Sequence, residues 1–371
     1  MLISLLQRVM PFRRRLAWSA ILGMFVGAIL VNSFAYELEQ FNSVSRVFLR
    51  NGTTSLRSFN TEGLPVSQDP RQQREFISPF YVVHYGLIHS KTCPQFGEAS
   101  SYHWKNDSTE KYWNAPPKTL SSDIFRISAD WVVNNIARDD NGNAHLFYEF
   151  DWPYANLNGA PLTAPWWSGL TDAVAILLML RAHDCLGGDK YLDSARDLYD
   201  SVVTPFADGG SLTRLNGLPW VEEYADDHIA ENDLSRVLNG MVYAYHGIRA
   251  LEEREQVARY APSFRAAIYK NADLFSKGYW SYYDNIGNAS NIKYHAINLA
   301  LLKDPRIAEE ASMQVEKKWA IGHRFPIVFY LLEGPLSVAK IHFALISVLI
   351  ISLCGLVASV GFHVLQRKKS R

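Results

Sequence analysis

The chain has no excess of charge of either sign. Of its 371 residues, 37 are lysine or arginine and 37 are aspartate or glutamate, so the formal net charge at pH 7 is +0. A protein that binds nucleic acid through its phosphates needs a basic surface, and this balance gives no sign of one. We therefore predict no nucleic-acid partner.

Cysteine is scarce, with only three residues in the chain. Cys354 lies within a long apolar run near the C-terminus, so Cys93 and Cys185 are the one remaining pair that could form a bridge in an oxidising compartment. The sequence leaves open whether they pair or remain two buried thiols.

Motifs that hold metals or nucleotides are also missing. The 11 histidines are scattered, and the pattern His-Glu-x-x-His does not occur. Residues 139–142 resemble the start of a calcium loop but lack its other ligands. Gly187-Gly188 is typical of the end of a helix rather than of a phosphate loop. We predict no metal site and no cofactor.

Two long runs without charged residues stand out in a chain whose hydrophobic content is 48%. The first run extends from Leu16 to Tyr36. The second extends from Ile341 to Leu365, and only two histidines, near its ends, interrupt its apolar character. At about 1.5 Å per helical residue, each run can span the roughly 30 Å hydrocarbon core of a bilayer. We predict two transmembrane helices, within residues 1–36 and at 341–365.

Basic residues flank both runs on the side of the chain ends, at 13–15 and within the tail 366–371. The positive-inside rule then predicts two cytoplasmic tails and an extracytoplasmic body, periplasmic in a bacterium or lumenal in a eukaryote. Cleavage of the first run as a signal peptide, at Ser33-Phe34-Ala35, is the competing interpretation. We favour a retained anchor because the apolar core is longer than that of a usual signal.

Helical periodicity dominates the body. Residues 37–75 are polar and aperiodic, which predicts an arm or linker, and residues 76–330 form the predicted main domain. Strand alternation is confined to a short stretch near 146–150. Helices joined by short loops pack as hairpins, so the predicted fold is mainly α, an α/α toroid or incomplete α/α barrel between two transmembrane helices. The predicted helices cover about 76–90, 121–138, 168–185, 189–203, 233–254, 262–276, 292–302 and 305–320.

Acid, phenol and imidazole side chains come together at two places. Residues 222–224 read Glu-Glu-Tyr and precede the sequence Val-Leu-Asn-Gly at 237–240, while Tyr294-His295 opens a later helix. Such groups suit proton transfer at carbon when they line one cavity.

Together with Pro-Trp-Trp-Ser-Gly at 165–169, this pattern resembles the C-terminal domain of the D-glucuronyl C5-epimerases, which invert C5 of glucuronosyl residues within a polysaccharide. The resemblance runs in patches from about Pro79 to Lys303. It implies an α/α barrel that acts as an isomerase on a uronic-acid-containing polysaccharide, here a divergent, membrane-anchored member. The sequence departs from the family after Gly169, where the family usually shows Gln-Gly near Thr171-Asp172.

By position, the resemblance implies two sets of site residues. Its catalytic residues correspond to Glu223, Tyr224 and Tyr294. Its further active-site tyrosine corresponds to Tyr283, and Asn239 of the Val-Leu-Asn-Gly sequence is a candidate substrate contact. The substrate carboxylate also needs a cation, for which the candidates are Arg181, Arg236 and His295.

Inversion at C5 requires removal of a proton α to a carboxylate and delivery of a proton to the opposite face. A phenol with a pKa near 10 is a poor base, because ionising it at pH 7 costs about 4 kcal/mol. Glu223 is therefore assigned to proton abstraction or its relay, and the tyrosines to donation. If residues 220–224 were extended, Glu222 rather than Glu223 would share a face with Tyr224, and the sequence leaves this open.

Other interpretations compete with this one. Tyr283 could be a packing aromatic, His295 a helix cap, Arg236 a surface arginine, and Asn239 a buried hydrogen-bonding residue. At the level of function, the alternatives are a polysaccharide lyase on the same fold and a non-catalytic glycan-binding or assembly subunit. Besides the polysaccharide, the membrane is the expected partner, and homodimerisation is left open.

Overall fold

The computed structural model of the protein describes residues 12–52, 57–69, 74–97, 119–154, 159–333 and 336–369. Of the predicted cytoplasmic tails, residues 1–11 and 370–371 lie outside these residues. The chain divides into two compact units, Met1–Thr54 with Ile321–Arg371, and Ser55–Ala320. The second unit therefore begins before residue 76, the predicted start of the main domain, and ends before residue 330, its predicted end.

The protein is mainly helical, which confirms the predicted class. In chain order, its α-helices are α1 (Phe12–Ser33), α2 (Ala35–Asn51), α3 (Pro79–His89), α4 (Ser122–Asn135), α5 (Gly169–Leu186), α6 (Asp189–Val203), α7 (Leu238–Glu255), α8 (Ala261–Asn271), α9 (Ile292–Leu302), α10 (Glu310–Arg324), α11 (Pro326–Leu332) and α12 (Val338–Lys369).

The strands are short and pair locally, all antiparallel. The first three form one small sheet, and the others form two-stranded hairpins. The strands are β1 (Arg57–Phe59), β2 (Pro65–Asp69), β3 (Arg74–Phe76), β4 (Ala137–Arg138), β5 (Ala144–His145), β6 (Leu212–Leu215), β7 (Leu218–Val221), β8 (Ser276–Lys277) and β9 (Trp280–Ser281).

Residues 37–75, which the sequence predicts as an arm or linker, contain helix α2 and strands β1 and β2. Helix α2 buries polar residues such as Glu39, which a search for a buried apolar stripe does not detect. Its buried polar residue Asn42 makes two hydrogen bonds to α12, one to the imidazole of His342 at 2.7 Å and one to the carbonyl of Ala339 at 3.0 Å. The apolar residues Phe41, Val44 and Phe48, spaced three and four apart in α2, are exposed instead.

In the first unit, α1 packs antiparallel on α12 through small residues. A methyl group added to Gly23 would lie 2.5 Å from the main-chain oxygen of Cys354, and one added to Gly27 would lie 2.9 Å from the Cys354 Cβ. Glycines four residues apart allow this close approach, as in pairs of membrane helices. Residues 14–33 and 338–366 are long and apolar enough to cross a membrane.

The second unit has two layers of helices. Helices α3, α5, α7 and α9 are buried around most of their surface and contact one another in chain order. Helices α4, α6 and α8 bury one face each, against this inner layer. This arrangement keeps the N-terminal turns of α7 and α9, with the loops before them, within one core.

Local signals set the helix ends. The Ser168 hydroxyl accepts a hydrogen bond from the main-chain N–H of Thr171, and Gly187 ends α5 with a positive φ. Helix α7 begins at Leu238, later than the predicted residue 233, because Arg236 adopts a φ of 50°. Cys93 and Cys185 form a disulfide, which decides between the two alternatives that the sequence left open.

Candidate active site

The Glu-Glu-Tyr segment follows strand β7, where the chain leaves the β6–β7 hairpin. The main-chain N–H of Gly169 donates to the carbonyl of Glu222 at 3.1 Å, and Trp167 and Ala225 exchange two hydrogen bonds of 3.0 Å. A side chain at position 169 would lie 2.5 Å from the Glu222 carbonyl oxygen, so this approach requires glycine. The start of α5 thus holds residues 222–225 from one side.

The carboxylate of Glu222 bends the chain at its own position. It is fully buried, and its Oε1 accepts hydrogen bonds from the main-chain N–H groups of Glu223 at 3.1 Å and Tyr224 at 3.3 Å. Extended structure ends at Val221, so side chains no longer alternate beyond it. The bend places the carboxylate of Glu223, rather than that of Glu222, beside the phenol of Tyr224.

The hydroxyl groups of Tyr224 and Tyr283 connect to Glu223 in a chain of hydrogen bonds. Tyr283 Oη donates to Glu223 Oε1 at 3.2 Å, and the two phenol oxygens lie 2.7 Å apart. Each phenol carries one proton, and that of Tyr283 is used in the hydrogen bond to Glu223. The Tyr283 oxygen must therefore accept the hydrogen bond from the hydroxyl of Tyr224. The chain therefore runs from Tyr224 through Tyr283 to Glu223.

Tyr294 lies in the first turn of α9, beside this chain. Its ring meets the ring of Tyr283 edge to face, with centroids 4.7 Å apart. The main-chain N–H of Tyr294 donates to the Asn291 side chain at 2.8 Å, which caps the helix. The structure thus brings together the three residues predicted to be catalytic and Tyr283.

The N-terminal turn of α7 closes the other side of Glu223. A methyl group added to Gly240 would lie 2.4 Å from Glu223 Oε2, so the helix backbone contacts the carboxylate directly. Within the described residues, neither this Oε2 atom nor either amide atom of Asn239 has a hydrogen-bond partner, and all are buried. Buried polar groups normally have partners, so these atoms mark a place where a polar ligand would fit.

Burial controls the protonation of the site. It raises the pKa of Glu223 to about 8, against the hydrogen bond from Tyr283 that lowers it. The pKa of Tyr224 and of Tyr283 is also raised well above its ordinary value, first by burial and then by the nearby carboxylate of Glu223. The phenols are thus donors, while the carboxyl can exchange a proton near neutral pH. In the described ranges, no three His, Cys, Asp or Glu side chains are grouped to hold a metal ion.

Two further residues of the site, Tyr154 and Asp284, were assigned no role from the sequence. The Tyr154 ring stacks on the Tyr224 ring at 4.3 Å, and its hydroxyl donates to Asp284 Oδ2. Tyr154 comes two and four residues after Trp152 and Phe150, so an alternation of aromatic residues is the signal that could have indicated it.

Arg181 does not lie with these residues. It is fully buried in α5, where Nη1 donates to Ser90 Oγ at 2.7 Å and to the Leu87 carbonyl at 3.3 Å. Its guanidinium also lies over the ring of Phe96, 5.0 Å from the centroid. These contacts give Arg181 a structural position between α5 and the turns after α3, rather than the predicted position at the substrate.

Arg236 is close to the site but its guanidinium is committed to the main chain. Its three nitrogens donate to the carbonyls of Arg214, Leu234 and Glu231 at 3.0, 3.0 and 2.9 Å. Its own main-chain N–H donates to Glu222 Oε2 at 3.0 Å. These bonds hold the loop before α7, so the guanidinium of Arg236 has a structural role rather than the predicted role of binding the substrate carboxylate.

His295 is likewise bound on both ring nitrogens. Nδ1 accepts from the Ser281 main-chain N–H at 3.1 Å, so Nε2 must be the nitrogen that donates to the Trp319 carbonyl at 3.2 Å. The ring also stacks on Trp280 with centroids 3.7 Å apart. His295 therefore lies in the core behind Tyr294 rather than at the proposed cation position.

At the position where the sequence departs from the family pattern, Asp172 forms a buried pair with His145. Asp172 Oδ2 lies 2.8 Å from His145 Nδ1, and both side chains are fully buried. The other ring nitrogen of His145 donates to the Gly209 carbonyl at 2.9 Å. This pair ties the first turn of α5 to strand β5, so the residue at the departure has a structural role.

Known proteins are similar to the part of the chain that contains this site. A model of the D-glucuronyl C5-epimerase C-terminus fits residues 141–320, which contain every side chain of the Glu223 cluster. These residues belong to that family. The family assignment from the sequence motifs is thereby confirmed.

Two relatives are similar to the chain, and the first of them supports the assignment. Over 204 residues, the chain is 28% identical to the D-glucuronyl C5-epimerase of Caenorhabditis elegans, covering 49% of this chain and 32% of the nematode protein. It is 24% identical over 183 residues to an uncharacterized protein of Methanocaldococcus jannaschii, covering 46% of this chain and 56% of that protein. The chain thus matches about a third of one relative and just over half of the other.

The solved structures with some similarity include a glucanase and a mannanase. A GH8 endo-β-1,4-glucanase from an Achatina fulica gut metagenomic library aligns with a TM-score of 0.40 and 13% identity, covering 74% of this chain and 75% of the glucanase. A GH76 α-mannanase of Bacteroides thetaiotaomicron aligns with a TM-score of 0.38 and 8% identity, covering 92% of this chain and 86% of the mannanase.

Proposed function

We propose that the protein is a polysaccharide uronate C5-epimerase that exchanges the proton at C5, between D-glucuronosyl and L-iduronosyl configurations. The observation that carries this proposal is the hydrogen-bonded chain from Tyr224 through Tyr283 to Glu223, with the second oxygen of Glu223 unpartnered among the described residues. A carboxylate with one oxygen held and one available is suited to take a proton from carbon.

In the proposed reaction, Glu223 Oε2 removes the C5 proton and Tyr294 delivers a proton to the opposite face. Tyr283 and Tyr224 support the Glu223 carboxylate through Oε1 and remain protonated. A pKa of about 8 for Glu223 makes it a stronger base than an ordinary carboxylate, although only a minor fraction is ionised at pH 7. This step leaves Glu223 protonated and Tyr294 as a phenolate, so one proton must pass from Glu223 to Tyr294 through solvent before the next turnover in the same direction. In the reverse reaction the Tyr294 phenolate removes the C5 proton and Glu223 delivers its own.

Stabilisation of the intermediate comes from neutral donors in this proposal. Deprotonation at C5 places a second negative charge on the substrate carboxylate, and the polar atoms of Arg181, Arg236 and His295, the candidates for a cation, are bonded to protein groups. The Asn239 amide, buried at the start of α7, can donate to a carboxylate oxygen. The phenols are further donors, and hydrogen bonds in a buried site are stronger than in water.

An aromatic surface next to the site supports a polymeric substrate. Trp152 is 40% exposed, and its ring contacts that of Phe150, with centroids 6.3 Å apart. Phe150 in turn contacts Trp166, whose ring lies 6.0 Å from that of Tyr224. Amphipathic rings of this kind can contact the apolar face of a neighbouring sugar residue.

The proposed setting is a membrane. Residues 14–33 and 338–366 would cross it with both tails cytoplasmic, as the flanking basic residues indicate. The disulfide between Cys93 and Cys185 agrees with an oxidising, extracytoplasmic location of the second unit. We also propose that its two layers of helices form an incomplete α/α toroid.

The test is incorporation of solvent hydrogen at C5. The purified protein is incubated with candidate uronate polymers in deuterated water, and NMR measures deuterium at C5 and the ratio of the two configurations. Tyr294→Phe keeps the ring and removes the hydroxyl, and should lower inversion by on the order of 10² to 10⁴. Exchange without inversion in this variant would identify Glu223 as the surviving base. An unsaturated product that absorbs in the ultraviolet would instead indicate a lyase, and no exchange on any uronate polymer would refute the proposal.

A further inference from the structure

Tyr154 lies against the catalytic chain without belonging to it. We propose that Tyr154 is a positioning residue which, together with Asp284, holds the phenol of Tyr224 in line with Tyr283. This inference rests on the proposed function, because the step that the alignment serves is proton transfer at C5. It assigns a role to a side chain that neither the motif of the family nor its position in the sequence indicated.

Ring contacts restrict Tyr224 on one face. The rings of Tyr154 and Tyr224 are nearly parallel, at 20°, with centroids 4.3 Å apart. Tyr154 also meets Tyr283 edge to face at 6.0 Å, so it touches both phenols of the chain. A tyrosine side chain has two rotatable bonds, and a stacked neighbour limits both. The direction of the Tyr224 hydroxyl therefore depends on Tyr154.

The hydroxyl of Tyr154 is fixed by a carboxylate that is itself fixed. It donates to Asp284 Oδ2, and Asp284 also accepts from the main-chain N–H of Asn288 at 3.0 Å and from its side-chain amide at 2.7 Å. Asp284 follows Tyr283 directly and pairs with Val237 in a β-bridge. Tyr154 consequently connects the loop that carries Tyr283 to the face of Tyr224.

This geometry separates positioning from proton transfer. The Tyr154 proton is used in the bond to Asp284, whereas the chain to Glu223 passes through Tyr224 and Tyr283. Loss of Tyr154 should therefore slow the chemical step without removing a proton carrier. Small misplacements of reacting groups are enough for this, since about 1 Å can cost on the order of 10² in rate.

The experiment compares three variants of the full-length chain, purified in detergent, with one matched control. Tyr154→Leu removes the ring, Tyr154→Phe removes only the hydroxyl, and Asp284→Asn changes its acceptor. The control is Tyr199→Phe, because Tyr199 also donates to a buried carboxylate, Glu252, at 2.8 Å, but lies outside the site. We expect kcat to fall about 10- to 100-fold in Tyr154→Leu and about 3- to 10-fold in the other two, with KM within about 3-fold and the control unchanged.

A second measurement does not depend on activity. In protein labelled at the tyrosine ring carbon that bears oxygen, the NMR signal of Tyr224 is assigned by its loss in Tyr224→Phe. The signal should shift in Tyr154→Leu, shift less in Tyr154→Phe, and stay unchanged in Tyr199→Phe. If the parent converts no uronate polymer, the proposed function fails, and this signal alone decides the contact between Tyr154 and Tyr224.

Two results would overturn the positioning role. One is a Tyr224 signal and a kcat that both stay as in the parent when the ring of Tyr154 is removed. The other is a change confined to KM, which would make Tyr154 a substrate contact. Partial recovery in Tyr154→Phe relative to Tyr154→Leu is required as well, because the stacked ring is retained there.

Discussion

Two sides of one bend, at residues 222–224, show how neighbouring carboxylates come to differ. On the side that faces the loop before α7, Glu222 accepts four hydrogen bonds, the last two from Ser235 Oγ at 3.2 Å and the Arg236 main-chain N–H at 3.0 Å. On the side that faces the tyrosines, Glu223 has one bonded oxygen and one without a partner among the described residues.

Both carboxyl groups are buried, and burial raises the pKa of each, to about 7 for Glu222 and about 8 for Glu223. A shifted pKa therefore does not distinguish them. What distinguishes them is hydrogen-bonding capacity: Glu222 uses both oxygens on the protein, whereas Glu223 keeps one for another molecule. We infer that the first carboxylate shapes the loop and the second carries chemistry.

The largest effect expected is on activity in Glu223→Gln. The amide cannot take a proton from carbon, so the rate of C5 exchange should fall by on the order of 10² to 10⁴. The parent rate should rise with pH up to about 8 as Glu223 ionises, and the variant should lose this rise. Exchange kinetics between pH 6 and 9 measure both. If the variant keeps the activity and the pH dependence of the parent, Glu223 is not the base and another group removes the proton.

Glu222→Gln should act on stability instead. Its amide nitrogen would face N–H donors that now bond to a carboxylate oxygen, leaving donors unpaired at a cost of about 2 kcal/mol. Urea unfolding followed by circular dichroism measures the loss. Activity per folded molecule should change by less than about 10-fold. The comparison fails if this variant keeps its stability and loses its chemistry, because the two carboxylates would then have exchanged roles.

The stability of the folded protein should fall as pH rises from about 5 to 8. The folded pKa of Glu223, about 8, lies above its ordinary 4.5, so in this window the folded state keeps a proton that the unfolded state has lost. Glu223→Gln removes this contribution, and its stability relative to the parent should increase by about 1 to 3 kcal/mol from pH 5 to pH 8. Glu149→Gln, at an exposed carboxylate, is the control and should follow the parent. An equal pH slope in Glu223→Gln would mean that the buried carboxyl is not protonated in this range.

Much of the scaffold could be predicted from the sequence because its signals are local. The cap at Ser168 and the stop at Gly187 bound α5 as predicted, and the motif residues Glu223, Tyr224 and Tyr294 come together. The bend at Glu222 could not be predicted from strand alternation, since hydrogen bonds from side chain to main chain create it.

Contacts between distant segments account for the rest. Arg236 and His295 have suitable residue types for binding an anion, but main-chain carbonyls and Ser281 occupy their polar atoms. Tyr154 and Asp284 meet across 130 positions, and neither lies in a helical motif. No pattern within a short window of sequence records such a pairing, although the aromatic alternation before Tyr154 could have indicated that residue by itself.

Gly240→Ala should disturb the tyrosine side of the bend more than the fold. The added methyl group would lie 2.4 Å from Glu223 Oε2, which can move away because it ends a flexible side chain. We expect about a 10-fold loss of activity and a stability cost of about 1 kcal/mol. In the control, Gly247→Ala, the methyl group would lie 1.9 Å from the Ala173 carbonyl oxygen, a main-chain atom. That variant should lose more stability, and a larger loss in Gly240→Ala would contradict the contact with Glu223.

The smallest effect is expected at the edge of the site, in Trp152→Ala. The ring is 40% exposed and lies two residues before Tyr154, so its loss should leave both carboxylates, the hydrogen-bonded chain and the fold as they are. If the ring contacts a neighbouring sugar residue, KM for a polymer should rise about 3- to 10-fold with kcat unchanged, because only binding common to ground and transition states is removed. Phe59→Ala is the matched control, since that ring is 53% exposed and contacts Tyr85 instead. Equal KM values for the two variants would show that the Trp152 ring does not bind the substrate. A fall in kcat in Trp152→Ala alone would show that Trp152 affects the chemical step, as the site tyrosines do.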